Sequence, residues 1–159
     1  MHYDSGRYAE AIDELLPLIS KQSAGPVEPI VMLARAFANQ GRLEDALRWC
    51  DHAIAVMKSD CALHYLRGTI LQELGQIEEA KVSLKRAIYL SPEFVMAHFA
   101  IGHLLRQHGG LSAGMKYFEN ALRILQNYKP DQFLAQSEGM TAGRLAQIIA
   151  ANLQEKAVS

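Results

Sequence analysis

Three stretches of this chain repeat one another: GRLEDALRWCDHA at 41–53, GQIEEAKVSLKRA at 75–87 and GGLSAGMKYFENA at 109–121. Each begins with Gly, ends with Ala and follows the previous stretch by 34 residues. Apolar residues within them recur at helical spacing, as Leu43 and Leu47 do. A fixed period of this length, filled by two helices, is typical of a solenoid in which each helix pair packs on the next. The sequence therefore predicts an all-α array.

Small residues recur with the same period, and their size has a steric reason. The four rows are Ala34, Gly68 and Gly102; Gly41, Gly75 and Gly109; Ala46, Ala80 and Gly114; and Ala53, Ala87 and Ala121. Packed helices have axes about 8–10 Å apart, and their closest crossings exclude bulky side chains. We expect the first row to lie where the two helices of one repeat touch. The last row should lie where one repeat meets the next.

The rows divide the chain into a tandem array followed by a loop and a last helix. The predicted segments are an array at 3–126 with a half repeat at 3–22 and full repeats at 27–60, 61–94 and 95–128, a loop at 127–140 and a capping helix at 141–156. The loop's apolar pair, Phe133 and Leu134, should pack onto the array, and Thr141 should cap the last helix. A half repeat cannot cover its own apolar face, so we expect the chain to be cut from a longer protein.

Composition excludes several classes of function. The chain has 159 residues and a formal net charge of −1, from 16 basic and 17 acidic residues. This balance provides no electrostatic footprint for nucleic acid. No apolar run is long enough to cross a membrane. The N-terminus lacks the pattern of a secretory signal, and only two cysteines occur, so we expect a cytoplasmic protein.

Catalytic and metal-binding patterns are weak. His98, His103 and His108 are five residues apart, which spreads them around a helix. Cys50 occupies an apolar position of its helix, where thiols are usually inert. We therefore expect no catalytic residue, no metal and no cofactor in this chain.

Two phrases resemble the consensus of the tetratricopeptide repeat (TPR): Gly75–Ala80 and Ala87–Pro92. The resemblance covers about Gly6–Leu125, although His64 and His98 stand where the consensus has Trp. It implies a superhelix of antiparallel helix pairs, made of one half repeat, three full repeats and a C-terminal capping helix. It also implies a concave groove that binds a protein or peptide segment.

In that geometry the first helix of each repeat lines the groove. The residues that this places there are Met32, Arg35, Asn39, Tyr65, Thr69, Gln72, Phe99, His103 and Arg106. Aromatic and Met side chains flanked by polar ones suit an extended peptide or a partner helix. The alternative is that several of them only complete the solvated edge of a helix. Chaperone-binding members of the family clamp carboxylates with Lys and Asn side chains in the groove. The matching positions here include Val31, Arg35 and Leu66, so this clamp is absent.

A narrower resemblance covers three segments, in this order: His98–Leu104, Tyr117–Leu122 and Ser137–Leu145. Together they are similar to the C-terminal TPR extension of chemotaxis-receptor methyltransferases of the CheR type. Those bacterial enzymes methylate receptor glutamates with S-adenosylmethionine. The resemblance implies a non-catalytic module that docks the parent enzyme to receptors or signalling partners, with the catalytic domain outside this chain. The alternative is a stand-alone TPR adaptor or scaffold, such as a co-chaperone or assembly factor.

Overall fold

The computed structural model describes residues 27–110 and 112–158, and its helices are named here in chain order. They are α1 (Val27–Asn39), α2 (Leu43–Val56), α3 (Cys61–Glu73), α4 (Ile77–Leu90), α5 (Val95–Gly109), α6 (Met115–Leu125) and α7 (Ala142–Val158). Within these described residues the only extended pairing is an isolated bridge between Phe133 and Thr141. The predicted all-α class is confirmed. The half repeat predicted at 3–22 lies outside the described residues.

The chain divides into two compact units, Met1–Ser83 and Leu84–Ser159. In the first unit, α1 packs on α2, α2 packs on α3, and α1 also touches α3. The small residues Ala34, Ala46 and Ala53 are at most 1% exposed. They lie in one core cluster with larger side chains such as Leu33 and Leu63. These burials agree with the predicted close crossings of helices.

Glycine ends the first helix of a pair in the first unit. Gly41 and Gly75 have φ values of +78° and +80°, in the left-handed region that favours Gly. After each, a backbone N–H reaches back five residues: Arg42 to the Phe37 carbonyl at 2.9 Å, and Gln76 to the Leu71 carbonyl at 2.9 Å. The turn therefore satisfies carbonyls that the helix end leaves without a partner.

In the second unit, α5 packs on α6 and α6 packs on α7. The left-handed residue here is Gly110, at φ +91°, whereas Gly109 is the last residue of α5. The turn has thus moved one residue past the Gly row. The next helix, α6, begins at Met115, whereas α2 and α4 begin two residues after their turn glycines, at Leu43 and Ile77.

The loop between α6 and α7 is anchored by Leu134, which is 5% exposed. Its neighbour Phe133 is 68% exposed, so the expectation that both residues pack onto the array was wrong for Phe133. The two side chains point to opposite sides because the backbone is extended here. The Thr141 hydroxyl accepts a hydrogen bond from the Arg144 N–H at 3.2 Å, which confirms its predicted role as the N-cap of α7.

Candidate functional site

Six of the predicted groove residues lie on two neighbouring helices of the first unit. Met32, Arg35 and Asn39 are on α1, and Tyr65, Thr69 and Gln72 are on α3. The two helices contact each other directly. Asn39 is exposed, while Met32, Arg35, Thr69 and Gln72 are half-buried. Polar and apolar side chains therefore lie at least partly exposed on two helices that are in contact.

Two of the six contribute less than their residue types suggest. Tyr65 is only 9% exposed, so most of its ring belongs to the interior. The Thr69 hydroxyl donates to the Leu66 carbonyl of its own helix at 2.8 Å, which leaves mainly its methyl group for contact. The polar chemistry of this surface therefore comes from Arg35, Asn39 and Gln72.

The other three predicted residues lie together on α5 in the second unit. The rings of Phe99 and His103 stack, with centroids 6.2 Å apart and planes 18° apart. Phe99 also contacts the Phe118 ring of α6, at 6.1 Å between centroids. The Arg106 guanidinium donates to the amide oxygen of Asn152 on α7. Arg106 thus ties α5 to α7.

Sequence reasoning missed Arg67, which links three helices of the first unit. Its Nε donates to Asp51 Oδ1 on α2 at 2.6 Å, and its Nη1 donates to the hydroxyl of the buried Ser83 on α4 at 2.6 Å. Positions 34 residues either side of it hold the fully buried Leu33 and Ile101. In the sequence, Arg67 is recognisable as a charged residue at a repeat position where Leu33 and Ile101 are apolar.

Two histidines, His64 and His98, repeat one contact in the two units. The Nε2–H of each donates to the carbonyl six residues earlier, on Lys58 and on Pro92, at 2.9 Å in both. Since a carbonyl only accepts, both rings carry the proton on Nε2. His98 is buried, and its Nδ1 has no hydrogen-bond partner.

The environment of His98 disfavours its charged form. Burial lowers its pKa below the usual 6.5, although the hydrogen bond to the Pro92 carbonyl acts in the opposite direction. Arg123 lowers the pKa further and Glu93 raises it. The His98 ring is therefore a neutral, buried packing residue that is hydrogen-bonded to the Pro92 carbonyl.

The thiol of Cys50 is protonated under ordinary conditions. Burial raises its pKa to about 12, and the nearby Asp51 carboxylate adds to the shift. A thiol in this state is a poor nucleophile and a poor metal ligand. In the described part of the chain, no three His, Cys, Asp or Glu residues are grouped so as to hold a metal ion. Nor does any helix of that part have the length and apolarity to cross a membrane.

Two family models, both described as tetratricopeptide repeat, match the chain at residues 1–59 and 62–94. Together they span more than half of the sequence. Human tetratricopeptide repeat protein 7A is 26% identical over an alignment of 125 residues, and the alignment covers 74% of this chain. The chain spans only 15% of the length of that curated relative.

Solved structures show the same fold at low sequence identity. A thermophilic TPR protein from Thermus thermophilus aligns with a TM-score of 0.72 and 21% identity, over 94% of this chain and 74% of that one. The Yersinia enterocolitica type III secretion chaperone SycD, in complex with a peptide of the translocator YopD, aligns with a TM-score of 0.67 and 20% identity. That alignment covers 84% of this chain and 97% of the other. These structures show the fold, and the two family models, which together match more than half of the sequence, show that the chain belongs to the tetratricopeptide-repeat family.

Proposed function

We propose that this chain is a non-catalytic module that binds a segment of a partner protein through one face of its first unit. That face, the α1/α3 face, consists of Met32, Arg35, Asn39, Thr69 and Gln72. The observation that carries the proposal is the contact between α1 and α3, which brings these partly exposed side chains onto neighbouring helices.

The side chains of the α1/α3 face match the needs of an extended peptide. Asn39 and Gln72 each offer a donor and an acceptor, which is what an unpaired peptide backbone requires. Met32 supplies a flexible apolar contact that adapts to different side chains. Arg35 is the one charged member of the face. Among proteins of this fold, SycD has been seen with a bound translocator peptide, which supports this mode of binding.

Selection from phage-displayed random peptides tests the proposal. Peptides enriched on the full chain serve as the ligands. The double variant Asn39→Ala, Gln72→Ala should weaken their binding by about tenfold or more, because the lost amides leave peptide groups without partners. Its thermal melt should stay close to that of the parent chain, since Asn39 is exposed and Gln72 half-buried.

The matched control is Glu73→Ala, which removes an exposed side chain next to Gln72 on the same helix. Its peptide affinity should equal that of the parent chain. Equal affinity of the double variant and the parent chain would contradict the proposal.

We further propose that the module belongs to a protein-glutamate methyltransferase of the CheR type, acts in the cytoplasm and docks that enzyme to a receptor or signalling protein. The support is the ordered resemblance of three segments in the second unit, of which Ser137–Leu145 is the most specific. Intact-mass analysis of the gene product from its native cells should show a protein well above 17.7 kDa that binds S-adenosylmethionine. A product of this mass alone would favour the stand-alone adaptor instead.

A further inference from the structure

A second surface lies in the loop between α6 and α7, far along the chain from the α1/α3 face. Phe133 and Thr141 form an antiparallel bridge there. Two backbone hydrogen bonds flank the pair: the Leu134 N–H to the Met140 carbonyl at 2.9 Å, and the Ala142 N–H to the Gln132 carbonyl at 2.8 Å. In such a pair the bridged residues do not bond to each other.

The backbone of Phe133 is consequently available on its outer side. In an antiparallel pair of this kind, the N–H and C=O of the bridged residue point away from the partner strand. Neither group of Phe133 has a backbone partner among the described residues. The Thr141 carbonyl, by contrast, accepts the Leu145 N–H at 3.1 Å as α7 begins. The open edge of the bridge is therefore on the Phe133 side, where neither backbone group has a backbone partner in the described part of the chain.

The side chain of Phe133 is also exposed to solvent. It is 68% exposed, while the adjacent Leu134 is 5% exposed and anchors the loop. A large exposed aromatic ring next to unpaired backbone groups combines the two elements by which a sheet edge captures a peptide. We name this feature, residues 132–134, the Phe133 edge.

The loop beyond the edge is held in one conformation. The Ser137 hydroxyl accepts the Met140 N–H at 3.0 Å and donates to the Leu134 carbonyl at 2.5 Å. Gln136 and Glu138 have φ values of +62° and +56°, which non-glycine residues rarely adopt. Surrounding contacts must maintain such a conformation, and a rigid edge loses little entropy when a partner binds.

A further contact secures the base of the loop. The Gly143 N–H donates to the Pro130 carbonyl at 2.9 Å, and a Cβ on Gly143 would lie 3.0 Å from that oxygen. The start of α7 and the start of the loop are thus in direct contact. The Phe133 edge therefore lies in a loop whose two ends contact each other.

We propose that the Phe133 edge binds an extended segment of a partner protein by adding it as a short antiparallel strand, with an apolar side chain of the segment against the Phe133 ring. The size of the edge favours a peptide segment over a second copy of this chain. One aromatic side chain buries about 150–250 Å². A stable dimer needs roughly 800 Å² per partner.

The experiment uses phage-displayed random peptides selected on the full chain and counter-selected on the Phe133→Ala variant. Peptides that survive should have apolar residues and should bind Phe133→Ala about tenfold or more weakly than the parent chain. Tyr89→Ala is the matched control, because Tyr89 is an equally large aromatic residue that is 78% exposed. That variant should bind them as the parent chain does.

The backbone contact has its own readout. The Phe133 amide should exchange rapidly with solvent in the free chain and become protected when the peptide binds. The proposal is overturned if no peptide survives counter-selection, or if bound peptide leaves the Phe133 amide unprotected. It is also overturned if the parent chain is a dimer in sedimentation and Phe133→Ala is a monomer, because the edge would then hold a second copy.

Discussion

The helix pair α1/α2 of the first unit and the pair α5/α6 of the second unit carry different small residues at the same two positions of the repeat. In α1/α2 these positions hold Ala34 and Ala46, both fully buried. In α5/α6 they hold Gly102 and Gly114. A Cβ on Gly114 would lie 2.0 Å from the Gly102 carbonyl oxygen, so the backbones touch.

The size of the small residues sets how closely the two helices of a pair approach. Two alanines are small enough to let helices cross, but two glycines permit backbone contact. The Phe118 ring fills the rest of the second crossing, where a Cβ on Gly102 would lie 2.9 Å from its Cε1 atom. The second unit has thus exchanged two methyl groups for an aromatic ring and a closer approach. The following variants test the comparison.

The largest expected effect comes from Gly114→Ala. The added methyl group cannot fit beside the Gly102 carbonyl, so α5 and α6 must separate and the Phe118 packing must loosen. We expect a loss of about 3 kcal/mol or more in the free energy of unfolding, measured in urea. The matched control is Ala46→Gly at the same repeat position, which should cost about 2 kcal/mol through helix propensity and the lost buried methyl group. Similar losses in both variants would refute the distinction between the crossings.

Arg67→Ala should have the next largest effect. Removing the guanidinium takes away the donor to the buried Ser83 hydroxyl and breaks the link to Asp51, at a cost of about 2 kcal/mol. Arg67→Leu restores the residue type found at Leu33 and should recover part of this loss by filling the space. Urea unfolding of both variants makes the comparison. If Arg67→Leu were no more stable than Arg67→Ala, filling the space would recover nothing and the loss would lie in the polar link.

A smaller loss is expected from Gly41→Ala. No atom lies within 4 Å of the added Cβ, so the cost comes only from the left-handed backbone at φ +78° and should be about 1 kcal/mol. Gly110→Ala tests the shifted turn of the second unit, and a larger loss is expected there because φ +91° with ψ 172° is a conformation that essentially only Gly adopts. A neutral result by thermal unfolding at either position would argue against the left-handed conformation there.

The smallest effect is expected from replacing His98 or His64. His98 has a lowered pKa in the folded chain, so the unfolded chain takes up a proton more readily as the pH falls through 6.5. The free energy of unfolding should therefore decrease below that pH, until the folded chain is protonated as well. Replacing His98 by Gln should reduce this dependence in a series of melts across pH. His64→Gln, at the equivalent position, serves as the comparison. If His64→Gln changed the pH dependence of unfolding more than the His98 variant does, His98 would not be its source.

The fold was readable from the sequence because its evidence is periodic. The 34-residue rows identified the helix pairs, and Thr141 was recognisable as a cap from its residue type. The rows did not indicate which residue of the Gly109–Gly110 pair makes the turn, because either glycine can adopt a positive φ. Phe133 was misplaced because an extended backbone sends neighbouring side chains to opposite faces. The backbone is extended here because Phe133 forms a bridge with Thr141, and helical periodicity does not reveal such a pairing.

The candidate site was harder to predict. Helical spacing correctly placed Met32 and Arg35 on one helix and Gln72 on its neighbour, but spacing does not indicate burial. Tyr65 is largely interior, and Arg106 is held by Asn152 on α7, a contact between positions 46 residues apart. The role of Arg67 was also missed, although its row of Leu33 and Ile101 marked it as an exception.

The most direct test of the account is to map a bound peptide on the isotope-labelled chain by amide chemical shifts. A peptide that is selected on the parent chain and loses affinity for the Asn39→Ala, Gln72→Ala variant should be titrated. The account predicts that the largest shifts fall on Met32, Arg35 and Gln72, while the exposed residues Val56 and Lys58 beyond the face stay unchanged. Shifts confined to α2, with none on α1 or α3, would contradict it.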